Sequence, residues 1–241
     1  MTSSNPTEAI VPPQERLFTT PVSTNKTVVL LGGKKDNSYS YGSGEGQTES
    51  ISCNVAIRDT KPLKNLRAVV LNNQLYICGG RFDTHRSDGT TECFKNDRGN
   101  WVTPPSMMVP RFSHIMTSVG SYTLVTGGLM TSTNINNAKF ATKSVEMFDG
   151  ATWTTLPYTL SHRRRGHCIV PISKTEVLVV GGSFRSPENL VVEKYNIFTG
   201  MVARIPSISG HACALLNGEV YISGGRYIKQ YQALDSVEVL T

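Results

Sequence analysis

Five short apolar runs, each closed by two glycines, recur along the chain at 28–33, 75–80, 124–128, 177–182 and 220–225. Their second glycines are Gly33, Gly80, Gly128, Gly182 and Gly225, spaced by about fifty residues, and a fixed period of this length marks a repeat architecture. Each run is apolar almost throughout, the pattern of a strand buried on both faces. A paired glycine at its end permits close approach of another backbone and dihedrals that a Cβ forbids. The intervals differ mainly in the polar segments after each pair, where surface loops tolerate insertion.

Around each run the pattern predicts three more strands. Upstream, Ser113-His114, Gly166-His167 and Gly210-His211 open a first strand. Downstream, a period of two appears as Glu92/Phe94, Glu146/Phe148, Glu193/Tyr195 and Glu238/Leu240, giving a third strand. Turns such as Asp149-Gly150 and Thr199-Gly200 lead to a fourth, clearest at Trp101-Val102-Thr103-Pro104-Pro105 and Trp153-Thr154-Thr155-Leu156-Pro157. The large Trp rings supply apolar area for packing one four-stranded sheet on the next. No segment carries a convincing helical period. The expected class is all-β.

These residues resemble the kelch repeat: the double glycines after an apolar strand, the Glu-x-aromatic third strand, the Trp-containing fourth strand, and Arg111-Phe112-Ser113-His114 and Arg165-Gly166-His167 at first-strand entries. The resemblance spans the chain, with Thr19 in place of His in the first repeat. It implies a β-propeller of about five four-stranded kelch-type blades in one domain, 1–241, with repeats near 16–63, 64–108, 109–160, 161–207 and 208–241. The last repeat stops after its third strand. The segment Ala9-Ile10-Val11-Pro12-Pro13 aligns with 101–105, so residues 8–13 are expected to supply the missing strand and close the ring, removing exposed edges. An open ring, or one completed by another chain, is the alternative.

Composition narrows the functional classes. The chain has 241 residues, 39% hydrophobic and 17% charged, enough to bury a core unaided. No apolar stretch reaches the roughly 18 residues of a membrane span, and residues 1–13 do not read as a secretory signal. Five scattered cysteines without a Cys-x-x-Cys pair suggest buried free thiols rather than zinc ligands or a disulfide framework. A cytoplasmic, reducing compartment is therefore expected, where the Asn25-Lys26-Thr27 sequon stays unmodified.

Charge points to one end of the repeats. The net charge is +6, and the loops entering first strands and leaving second strands concentrate the basic residues. Loops at the other end, such as Asn72-Asn73 and Asn217-Gly218, are nearly uncharged. The candidate binding residues are Arg81, Phe82, Arg111, Arg165, Phe184, Arg185, Arg226 and Tyr227, because arginine forks and aromatic anchors compose recognition surfaces. Within 163–165 only Arg165 is expected to be fixed by the fold, and the repeated glutamates are expected to be structural. His114, His167 and His211 could line a channel, but equivalent residues on separate blades diverge, so no metal site is expected. Gly42-Ser43-Gly44-Glu45-Gly46 lacks the Lys-Ser/Thr of a phosphate loop.

The expected function is non-catalytic: a monomeric protein-interaction module, without cofactor, that binds an acidic or phosphorylated segment of a protein partner. Membranes are not expected as partners, and nucleic acid is disfavoured because stacking aromatics are few. The alternative, implied by enzymes built on kelch-like propellers, is a metal-dependent oxidase or sugar-processing enzyme.

Overall fold

The computed structural model describes residues 20–23, 28–31, 48–50, 63–82, 88–97, 100–131, 139–182, 192–205, 212–223, 226–227, 232–233 and 237–240. In the first sheet, and at Phe82, Arg226 and Tyr227, that description is of the backbone. Among the described residues every regular element is a strand.

The strands form successive antiparallel sheets. The first contains β1 (Thr20–Ser23), β2 (Val28–Leu31) and β3 (Thr48–Ser50). A two-residue β4 (Leu63–Lys64) precedes β5 (Arg67–Leu71) and β6 (Gln74–Cys78), and pairs with β7 (Arg81–Phe82). With β8 (Cys93–Asp97) and β9 (Asn100–Val102) the second sheet runs in the order β5-β6-β8-β9. The third has β10 (Ile115–Val119), β11 (Tyr122–Thr126), a side hairpin of β12 (Leu129–Thr131) and β13 (Lys139–Ala141), then β14 (Val145–Phe148) and β15 (Trp153–Thr155). The fourth is β16 (Cys168–Pro171), β17 (Glu176–Val180), β18 (Val192–Asn196) and β19 (Gly200–Ile205). The last pairs β20 (Ala212–Leu216), β21 (Glu219–Ser223) and β24 (Val237–Leu240), with β22 (Arg226–Tyr227) and β23 (Gln232–Ala233) as a separate ladder.

The expected four-strand repeat is thus present in full three times. Hairpin chemistry follows the sequence: Asn72 and Asn73, both at positive φ, make the two-residue turn between β5 and β6. The first strands β1, β5, β10, β16 and β20 each touch the next in succession, so the sheets follow one another around a common direction. The strand expected at 8–13 lies outside the described residues.

Apolar joints hold neighbouring sheets together. Between the second and third, Val69, Leu71 and Tyr76 meet Met116, Val125, Phe148 and Trp153. Phe148 stacks on Trp153 with centroids 4.9 Å apart and meets Tyr76 edge-on at 5.6 Å. The Trp153 indole N–H donates to Pro105 O over 3.0 Å, so its polar end is satisfied although the ring is buried. The next joint sets Val119, Leu124 and Val145 against Ile169, Val179 and Tyr195, and the one after sets Val170, Val180 and Val192 against Val220 and Ile222.

The double glycines belong to these joints. A Cβ on Gly79 would stand 2.5 Å from His114 Cε1 and 2.7 Å from Arg111 O, both in the next sheet. Gly127 meets Arg164 O and His167 in the same way. In the third and fourth sheets the second glycine faces the histidine of its own sheet, Gly128 against His114 and Gly182 against His167. Each histidine therefore sits between the glycines of two successive sheets. The second glycine's N–H also donates across the joint, Gly80 to Arg111 O and Gly128 to Arg164 O, both at 2.9 Å.

Two expectations are corrected. The cysteines are paired: Cys78 with Cys93, and Cys168 with Cys213. Cys78 and Cys93 are register partners on β6 and β8, while Cys168 and Cys213 link the first strands of successive sheets. Both pairs form through sheet contacts, which Cys spacing along the chain does not display; Cys53 lies outside the described residues. The third-strand glutamates are also not all equivalent. Glu146, Glu193 and Glu238 oppose Val125, Val179 and Ile222, whereas in the second sheet Phe94 opposes Ile77 and Glu92 lies two residues earlier. Glu49, opposite Leu30, holds the shared position in the first sheet.

Candidate binding surface

The first-strand entries and the segments after the double glycines lie at one end of the sheets. Phe112 forms a bridge with Leu129, and Arg111 forms one with Thr90, so this entry segment is held between the second and third repeats. The residue before each histidine position has left-handed backbone: Asn65, Ser113 and Gly166, with φ of 57°, 53° and 55°. Ser113 N–H donates to Asn65 O, and Gly166 N–H to Ser113 O, continuing the connection from sheet to sheet.

Arg111, a candidate for partner binding, is instead entirely buried. Its Nη2 donates to Glu146 Oε1 at 2.5 Å and to Ser144 Oγ at 2.9 Å, and its Nη1 donates to Gly127 O at 2.8 Å. Glu146 in turn accepts the backbone N–H groups of Met108 and Val109 at 2.6 and 3.1 Å. The pair clips the connection from the second sheet onto the third. Burial pulls the Arg111 guanidinium below its ordinary pKa, and the Glu146 carboxylate opposes that fall.

The same clip recurs one repeat later with Arg164, not Arg165. Arg164 is entirely buried, donates to Gly181 O at 2.9 Å and pairs with Glu193, which also accepts Ser161 N–H at 2.7 Å. Arg165 is exposed. The expectation that Arg165 is the fixed member of 163–165 is therefore overturned. Both buried arginines stand three residues before their histidine; counting back from His114 and His167, instead of matching Arg-Gly-His as a unit, identifies Arg164. In the second sheet this position is Leu63 and the glutamate position is Phe94, so neither charge of the ion pair is present there.

His114 and His167 are buried as well, at 0% and 2% exposure. His167 Nε2 lies 2.7 Å from Thr126 Oγ1. Burial, then the neighbouring arginines (Arg111 first at His114, Arg164 first at His167), holds both imidazoles well below their ordinary pKa. Among the described residues no group of three His, Cys, Asp or Glu is placed to hold a metal ion.

Several other cations gather above this frame. Arg81, partly buried on β7, brings its guanidinium 5.3 Å from the centroid of Phe112, and Lys139 on β13 brings its ammonium 5.4 Å from the same ring. Arg163 lies 6.0 Å from the centroid of Phe140. Lys139, Lys143, Arg163 and Arg165 are exposed. Phe112 is buried with Leu129 and Ala141, so the cations ride on a small apolar footing. The opposite end is not uncharged: it carries Lys174, with Asp97 and Asp149. Of the other candidates, Phe82 and Arg226–Tyr227 take the backbone positions directly after the double glycines, and Phe184 and Arg185 lie outside the described residues. Sequence reading missed Lys139 and the Phe112 ring as surface components; the bridge to Leu129 brings them together.

The buried polar groups generate two predictions. Arg111→Leu strands a buried carboxylate and should cost about 3–5 kcal/mol. Adding Glu146→Gln removes that charge, retains an acceptor for Met108 and Val109, and should recover a substantial part; Arg165→Leu should stay within about 0.5 kcal/mol. Urea unfolding of the four proteins checks this, and equal losses for Arg111→Leu and Arg165→Leu would contradict the alignment of Arg111 with Arg164 as the buried pair-forming position. The histidines set the acid response. Below about pH 6.5 an unfolded imidazole takes a proton that the buried one refuses, so stability falls as pH drops; above that pH neither state is charged and the penalty vanishes. His114→Leu, which installs the residue found at this position in the second sheet (Leu66), should reduce the loss between pH 7 and pH 5 by about 2 kcal/mol. The measured quantity is the change with pH, so a packing cost common to both pH values does not affect it.

A comparison with curated proteins finds no match to this chain. The family model described as the Kelch motif matches residues 62–108, the span that contains the second sheet from β4 to β9 and both strands joined by Cys78 and Cys93. The second sheet of this chain therefore matches the Kelch motif.

Proposed function

We propose that the chain is a non-catalytic binding module that takes an acidic segment of a protein partner on the end bearing Arg81, Lys139, Arg163 and Arg165. A kelch motif suggests a propeller domain, a form often used for protein binding. The observation that carries the reading is that these four cations form no ion pair among the described residues, while Arg111 and Arg164 are consumed inside. Arginine and lysine held on apolar footings, with their charges left over, suit carboxylates or phosphoryl groups. Phe82, Arg226 and Tyr227 extend this end by their backbone positions.

The ring is part of the proposal. Leu216, Val237 and Val239 of the last sheet are 57%, 63% and 45% exposed. Leu71 and Cys93, at the same register positions as Leu216 and Val237 in the second sheet, are buried against the third. That outer face is built to be covered. In the proposed ring the first sheet would cover it, with residues 8–13 as the fourth strand beside β24.

Binding to an acidic partner peptide should weaken at least about tenfold between 50 mM and 500 mM salt, measured by fluorescence anisotropy; affinity indifferent to salt rejects the electrostatic reading. Deleting residues 1–15 should lower the melting temperature by several degrees and expose surface that binds a hydrophobic dye. A deletion variant with unchanged melting and no added dye binding rejects closure by this segment.

A further inference from the structure

We infer that Arg81 and Lys139 form a clamp for one anionic side chain, a carboxylate or phosphoryl group of a bound peptide, seated over Phe112 at the joint between the second and third repeats. This inference rests on the proposed binding function and assigns it a specific place.

Three observations converge. First, the two cations arrive from different sheets, Arg81 from β7 and Lys139 from β13, and reach the same ring at 5.3 and 5.4 Å. Like charges held this close repel, and the ring's negative face repays only part of that repulsion. An anion between them removes the rest. Second, Arg81 Nε is buried without a hydrogen-bond partner among the described residues, leaving a donor unused on a group with five of them. Third, Lys139 is held below its ordinary pKa by burial first and by Arg81 next, with Asp88 opposing. Asp88 is the carboxylate that acts on Lys139, yet it forms no salt bridge with either cation among the described residues.

The scaffold under the clamp is rigid. Phe112 is locked by reciprocal backbone hydrogen bonds with Leu129, at 3.1 and 2.8 Å. Its neighbour Arg111 is fixed by the buried pair with Glu146. Arg81 is held by bridging to Gly89 and by pairing with Lys64. Such support keeps two charges in register with no salt bridge to either among the described residues, and a preorganised site loses little side-chain entropy when a ligand arrives. At the next joint the residue equivalent to Phe112 is Arg165, so that joint lacks the aromatic seat. Among the described residues the clamp belongs to this joint and not to every repeat.

The test uses the full chain and two labelled peptides of one sequence, carrying either a run of glutamates or a single phosphoserine. Anisotropy titrations compare wild type with Arg81→Gln, Lys139→Gln, the double Arg163→Gln/Arg165→Gln, and Lys174→Gln at the opposite end. Arg81→Gln and Lys139→Gln should each weaken the better-bound peptide about tenfold, and Lys174→Gln by less than about twofold. The preferred peptide tells whether carboxylate or phosphoryl is the ligand. Melting temperatures of Arg81→Gln and Lys139→Gln should match or exceed wild type, because repulsion is relieved; a marked fall in both would assign these cations to the fold and overturn the inference. If only the Arg163→Gln/Arg165→Gln protein loses affinity, the clamp is wrong and the wider reading of this end stands. If no variant differs, or neither peptide binds, or a single-stranded oligonucleotide binds more tightly than both peptides, both readings fail.

Discussion

Close approach at the joints between sheets is the constraint on which the rest of the molecule depends. A histidine from one sheet lies against the first glycine of the sheet before it and the second glycine of its own. Any side chain at Gly79 or Gly127 would meet a backbone carbonyl or an imidazole at under 3 Å. Because the glycines yield that space, the entry segment comes near enough for its carbonyl to accept the N–H of Gly80 or Gly128. The apolar joints then fill on either side. Aromatic and branched residues supply the area, while the glycine–histidine contact sets the distance.

Burying charge at the same place gives these joints a directional element that apolar packing lacks. Arg111 with Glu146, and Arg164 with Glu193, each tie three things together: the glycine carbonyl, the third strand and the connection arriving from the preceding sheet. Desolvating two charges is expensive, and only a fully hydrogen-bonded arrangement compensates for it. The second sheet carries neither charge, with Leu63 and Phe94 at those positions. A sheet with the buried ion pair and a sheet without it therefore share the same strand order. The difference lies in how sharply each fixes the entry segment, and so the ring of Phe112 beside Arg111.

Arginines of this chain meet two fates within three residues. Arg164 is consumed by the fold, and Arg163 and Arg165 on either side of it project from the end that gathers Arg81, Lys139 and Lys143. The positive end is thus what remains after the interior has taken its share. Three of its cations, Arg81, Lys139 and Arg163, stand on aromatic side chains, which orient them without neutralising them. This arrangement leaves charge available to a ligand where a surface of paired ions would not.

The amino-acid sequence by itself determined the repeat: the apolar runs, the double glycines and the Trp-bearing strands are local signals, and each sheet forms from residues adjacent in the chain. The same local logic placed the β5–β6 turn at Asn72-Asn73 and the fourth strands at Trp101 and Trp153. Only the tertiary structure decided which groups from different strands and repeats meet. It paired Cys78 with Cys93 and Cys168 with Cys213, exchanged Arg165 for Arg164 as the buried residue, moved Glu92 out of the glutamate register, and brought Lys139 to the ring already approached by Arg81. These outcomes turn on offsets of one or two residues between aligned repeats, and on contacts across a joint. A periodic pattern fixes the spacing within a sheet, but the face a side chain presents to the next sheet is settled by steric fit and desolvation when the two come together.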